Sequence, residues 1–213
     1  MNAVVEKPTS KAVKAACERF DRENALAEQA LAELFRQYPR NGDIRHILLK
    51  VVAVNALEHT HIFPLDAVAR HIHADIPEID SALAEGSPEI IQKIAKVAIH
   101  GKHYNLYSFA TKYCNRHNPG AYPVYDLRIE HALCAIQKHS PFAAFSHTDL
   151  CHYPRFVSVL AAFRDVHGLG AFSFEQIGKF LHIQGEPPAP PLQEEVETGP
   201  GTFDFFPAHE TVS

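Results

Sequence analysis

Apolar residues recur at helical spacing along most of this chain of 213 residues. Leu26, Ala30, Leu31 and Leu34 share one face of a helix running from Lys11 to about Tyr38, and Pro39 stops it. Asn41-Gly42-Asp43 reads as a turn, with Asp43 capping a second helix that carries Ile44, Ile47, Leu48, Val51, Val52 and Val54. That helix is apolar enough to be central. Pro64 suits the first position of a helix over 64–74, which residues 75–77 then break. A short helix over 78–86 ends at Gly86. Ser87 as cap and Pro88 just inside open a helix over 88–100, with Ile90, Ile94 and Val97 on one face.

The pattern continues with a helix from about Tyr104 to Arg116, ended by the breaker cluster His117-Asn118-Pro119-Gly120. Asp126 can cap a helix beginning at Leu127. A connection over 140–154 contains a short turn of helix near Asp149-Leu150. Helix 155–167 follows, facing Phe156, Val159, Leu160 and Phe163 inward. Ser173 and Gln176 have the capping-box spacing at the start of the last helix. No strand meander and no repeat is apparent. The predicted fold is all-α: one multi-helix globular domain of eight to ten helices over 11–184, after an N-terminal arm over 1–10.

After Gly185 the pattern stops. Residues 185–213 are rich in proline and glutamate, a composition that disfavours a packed core. Their Phe203-Asp204-Phe205-Phe206 run suggests docking on the domain, self-association or a protein partner. The segment holds six acidic residues and no Lys or Arg, so it accounts for the formal net charge of −5. Seven bases (Lys93, Lys96, Lys102, Lys112, Arg116, Arg128, Lys138) stand against Asp126 and Glu130 over 92–138. Such a surplus attracts phosphate. No apolar run is long enough for a membrane span. The N-terminus lacks an apolar signal core, and the four cysteines are widely spaced, so a cytoplasmic protein with reduced thiols is expected.

The densest chemistry lies in Lys102–Asp126, KHYNLYSFATKYCNRHNPGAYPVYD. Lys112 and Arg116 are one helical turn apart and can share a side. Lys112, His117 and Asp126 are the candidate catalytic set, with Asp126 read either as a cap or as a general base. Lys102, Tyr104, Tyr107, Lys112, Arg116 and Arg128 are the candidate nucleic-acid contacts, because aromatic rings beside cations can stack on bases. Tyr113, Tyr122 and Tyr125 add to that supply, or to a core whose hydroxyls find partners. Cys114 lies three residues before His117, but no third group is evident to orient such a pair. No metal site and no cofactor is expected. Zinc needs three or four converging ligands, and in a helix His71 and His73 diverge by roughly 200°.

Tyr107–Pro119, YSFATKYCNRHNP, followed by Tyr122–Asp126, YPVYD, resembles a bacterial family of uncharacterised all-helical proteins. Its members read close to YSFATKYCSHHNP and YPIYDS, and the resemblance extends from about Ile47 to Phe180. It implies a helical fold and no assigned activity. Leu127 stands where that family has serine. The last helix, IGKFLHIQG, has Gly178 where the family has aspartate, and it lacks tryptophan. A more remote similarity is to a segment of helical DNA glycosylases, in which an aspartate also opens a helix after an aromatic–proline step. The glycine-rich hairpin of those enzymes has no good counterpart here.

These features give three readings. The first is a helical protein that binds nucleic acid or another anionic partner, including an anionic small molecule, through 92–138. The second is a nucleic-acid- or nucleotide-processing enzyme with its site near Lys112, His117 and Asp126. The third is a protein-interaction module that uses the C-terminal segment.

Overall fold

A computed structural model describes residues 6–74, 76–99 and 101–185. Among these residues the chain forms ten helices and one small sheet. In order they are α1 (Ser10–Gln37), α2 (Ile44–Leu57), α3 (Leu65–Ala74), α4 (Ile76–Glu85), α5 (Glu89–Ala95), β1 (Lys96–Ile99) and β2 (Lys102–Asn105). Then come α6 (Tyr107–His117), α7 (Leu127–His139), α8 (His147–Leu150), α9 (Tyr153–Val166) and α10 (Phe174–Gln184). The fold is a single, mostly helical domain. His100 and the C-terminal segment, with its Phe-rich run, lie outside the described residues.

Local chemistry explains most of the boundaries. The side chain of Thr9 accepts from Ala12 N–H to start α1, and that of Asp43 accepts from Arg45 N–H to start α2. Asp126 accepts from Ile129 N–H at the head of α7. Ser173 and Gln176 form the expected capping box of α10. Ser87 makes no side-chain cap at α5, and Pro64 precedes α3 instead of opening it.

The helix expected over 88–100 is corrected at its second half. It ends at Ala95, and β1 follows. Ile90, Ile91, Ile94 and Ala95 are buried at helical spacing, but then burial alternates: Val97 and Ile99 in, Lys96 and Ala98 out. That switch to a period of two is the strand signature. Gly101 turns the chain at φ +74°, a conformation that favours glycine. β2 returns antiparallel, with Val97 opposite Tyr104. The helix expected from Tyr104 accordingly starts only at Tyr107.

α6 is the central element. It packs against α1, α2, α4 and α5, and eight of its 11 residues are buried. α10 lies across α1 and α7. Phe109, Tyr113, Phe156, Phe163 and Phe180 are among the largest fully buried side chains. Thr111, Lys112 and Asn115 are buried on the same central helix. Buried polar groups need partners, and those of α6 organise the site. No helix among the described residues is long and apolar enough to cross a membrane.

Candidate functional site

Lys112 and Arg116, one turn apart on α6, both reach the C-terminal end of α2. Lys112 Nζ donates to the Glu58 carbonyl at 2.9 Å, and Arg116 Nε donates to the Glu58 carboxylate at 2.8 Å. The other end of the Arg116 guanidinium donates to both oxygens of Glu28, at 2.6 and 2.7 Å. Arg116 therefore ties α6 to α1 and α2. Arg116→Gln should lower stability by about 1–3 kcal/mol, because it strands two carboxylates that are largely out of water. Chemical denaturation measures this. An unchanged midpoint would show that the pairs carry no net stability.

Lys112 has a second neighbour. Its Nζ lies 3.6 Å from Oδ2 of Asp126, and both side chains are about nine-tenths buried. Oδ1 of Asp126 is taken up by the Ile129 N–H at 2.9 Å. Oδ2 accepts from Nδ1 of His182, on α10, at 3.2 Å. The other ring nitrogen of His182 is 3.0 Å from an Arg128 guanidinium nitrogen. Phe20 of α1 packs edge-on against the imidazole. Burial alone would raise the Asp126 pKa. The His182 hydrogen bond, the Lys112 charge and the Ile129 N–H outweigh it, and together they hold the carboxyl well below the usual carboxylate range. Asp126 is thus an ionised carboxylate under a cover formed by His182 and Arg128.

His117 lies elsewhere. Five residues on from Lys112, it points about 140° around α6. It enters a separate buried network with Lys50 of α2. Lys50 Nζ donates to the carbonyls of Tyr38 and Arg40 at 3.2 Å each and to Asn41 Oδ1 at 2.7 Å, and it lies 3.3 Å from His117 Nε2. Tyr113 donates its hydroxyl to the same Asn41 oxygen at 2.5 Å. Burial, then the nearby Lys50 charge, push the His117 pKa down to about 3. Burial lowers that of Lys50 to about 8. A third polar cluster forms where the Tyr125 hydroxyl donates to buried Glu130, which His147 also contacts.

The tyrosines divide unequally. Tyr104 is substantially exposed on β2, beside exposed Lys102 and His103. Tyr107, Tyr113, Tyr122 and Tyr125 are core residues. Tyr107 packs on Tyr125, and Tyr122 donates to carbonyls of Ala82 and Ser87. Cys114 is sealed in the core, where burial pushes its thiol pKa well up. Among the described residues no three His, Cys, Asp or Glu side chains converge as a metal site. An open depression of about 430 Å³ runs along α1 at Ser10, Lys11, Lys14, Ala15 and Glu18. None of the converging side chains lines it.

The structure thus brings Lys112 and Asp126 together and leaves His117 with Lys50. Lys102 and Tyr104 sit on the hairpin, and Arg128 sits beside Asp126. The residue that sequence reading passed over is His182. Its signal in the sequence is slight: a single histidine near the end of the last helix, FEQIGKFLHIQ. Lys50 was legible in principle, as a lone cation inside the apolar run ILLKVVAV.

Residues 12–121 match the model of the HI_0787_N family, described as an N-terminal domain. The match includes Lys112 and His117 and ends before Asp126 and His182. The chain is also similar to an uncharacterised protein of Haemophilus influenzae (strain Rd), at 35% identity over 143 residues, 67% of this chain and 68% of that protein. No solved structure matches.

Proposed function

We propose that this chain, which belongs to the HI_0787_N family, is a nucleic-acid- or nucleotide-processing enzyme whose reaction centre is Lys112 and Asp126. One observation carries this reading: an ionised carboxylate and an ammonium group are held 3.6 Å apart, nearly out of water. Capping a helix does not require that arrangement. Asp43 caps α2 with a more exposed side chain, paired to an arginine at the surface. Withdrawing two charges from water costs several kcal/mol per ion before pairing returns part of it.

The chemistry available is acid–base or electrostatic. Asp126 can hold a proton acceptor in place or act as one, and Lys112 can stabilise negative charge developing on a substrate. The Lys112 ammonium beside Asp126 favours an anionic substrate. The exposed Lys102, His103 and Tyr104 of β2 form a second cationic and aromatic surface suited to a nucleic-acid strand.

The test is conversion of labelled single-stranded and duplex oligonucleotides and of nucleoside phosphates by the full chain. Wild type should form product, and Asp126→Asn should be slower by about 10²-fold or more. Asparagine still caps a helix well, so the fold should persist. The reading is lost if wild type converts none of these substrates, or if Asp126→Asn is equally active.

A further inference from the structure

One side of α2 is apolar and open. Ile47, Val51 and Val54 are buried on its other sides, where α1, α3 and α6 pack against the helix. On the open side Leu49 is 51% exposed, and Val52 and Ala56 are exposed as well. With 3.6 residues per turn these three positions fall within about 60° of one another. Exposed Leu57 closes the helix. Asn55 accepts from the Thr60 hydroxyl and from the Ile62 N–H, which folds the following loop back on α2. That brings Phe63, 78% exposed, to the C-terminal half of the helix. Four of the eight large apolar side chains exposed among the described residues are thus gathered on this one element and its loop. Single apolar side chains are ordinary on a surface, whereas a contiguous run of them marks a docking site.

We propose that the Phe203, Phe205 and Phe206 side chains of the same chain dock on this stripe. The path of the chain selects that occupant. A Cβ at Gly185 would lie 1.9 Å from the Arg128 carbonyl oxygen, so the chain leaves the domain tightly against the head of α7. Asp126, at that head, is 3.6 Å from Lys112, and Lys112 Nζ donates to the Glu58 carbonyl at the end of α2. The root of the C-terminal segment and the end of the stripe therefore flank the same buried pair. Phe203 follows Gly185 by 18 residues. A flexible linker of that length spans roughly 23 Å, and proline stretches it further. The 14 residues of α2 are about 21 Å long, so the whole stripe is within reach. Chemistry agrees with the path. Three phenylalanines within four residues supply compact aromatic anchors, which dominate small interfaces. The segment carries six acidic residues and no Lys or Arg, and residues 44–57 of α2 contain no acid to repel it. The docking does not depend on catalysis at Lys112.

Methyl NMR of the full chain, labelled at leucine and valine, tests this. Phe203→Ser, Phe205→Ser and Phe206→Ser together should shift the Leu49, Val52 and Leu57 methyl resonances, which lose the rings packed on them. Those of buried Leu133 and Val159 should stay in place, showing an intact fold. Leu49 and Val52 methyls that do not move, or shifts at exposed Leu26, Leu127 or Val166 instead, overturn docking on α2. From the other side, Leu49→Ser with Val52→Ser should speed chymotrypsin cleavage after Phe203 and Phe205 by about tenfold or more, because cleavage follows the undocked fraction. Equal cleavage rates in this variant and wild type also overturn it. Wild type and the phenylalanine variant should have the same mass by light scattering at every concentration. A mass that falls when the phenylalanines are changed makes a second copy's segment the occupant of the stripe and overturns docking within one chain.

Discussion

Asn41→Leu should destabilise the protein by about 3–5 kcal/mol, the range found when one member of a buried charged network is removed. Asn41 is fully buried and joins three groups. Its Oδ1 accepts from Lys50 at 2.7 Å and from Tyr113 at 2.5 Å. Its Nδ2 donates to Asp80 at 2.7 Å. Leucine fills similar space and supplies none of these bonds. It would leave an ammonium with fewer acceptors and a sealed phenol with none. For a domain of this size the loss corresponds to a fall in Tm of roughly 6–20 °C. Calorimetry or denaturant titration measures it. Adding Lys50→Met to the variant should return part of the loss, because the stranded charge is then gone. Near-neutral behaviour of Asn41→Leu would mean that this network contributes little to the fold.

Acid should weaken the fold well above the pH at which carboxylates titrate. His117 ordinarily titrates near 6.5, and in the fold its pKa is pushed down to about 3. Between those values the unfolded chain binds a proton that the folded chain refuses. Stability therefore falls as pH drops through that window, by up to about 1.4 kcal/mol per pH unit. The physical reason is local. His117 Nε2 already faces the Lys50 ammonium at 3.3 Å, so a protonated ring would place two cations together inside the core. Asp126 adds an acid-labile contribution in a lower window. Its folded pKa lies below the ordinary 3.8, so its stabilisation is complete above that value and is lost as pH falls below it. His117→Gln should flatten the loss between pH 6.5 and about 4 and leave the lower limb. Identical pH profiles for the two proteins would remove His117 as the cause.

Much of the helical order was written in local chemistry. Asp43, Asp126 and Ser173 act within one turn of themselves, so their capping roles follow from residue type and spacing. Pro39 and Gly86 act just as locally. The pairing of Lys112 with Arg116 on one side of α6 also follows from a helical repeat. The hairpin at 96–105 was less legible: the apolar residues of 88–100 satisfy a helical spacing up to Ala95, and four residues of strand alternation are too short to override it by pattern alone. Tyrosine placement was not legible, because a tyrosine is equally suited to a stacking surface and to a core with a carbonyl in reach.

Sequence alone determined that the chain folds as a helical domain and where most of its helices lie, and it singled out Lys112, His117 and Asp126 as candidates for its chemistry. Only the tertiary structure decided their partners. His182 is 56 residues from Asp126 and Lys50 is 67 from His117. Contacts at that separation depend on how α10 crosses α7 and how α2 meets α6, and no local spacing encodes those packings. The same packing separates Lys112 from His117, since side chains five positions apart on one helix face different neighbours. It also sets the electrostatics, because burial and the nearest charge shift each group, and both are properties of the assembled core.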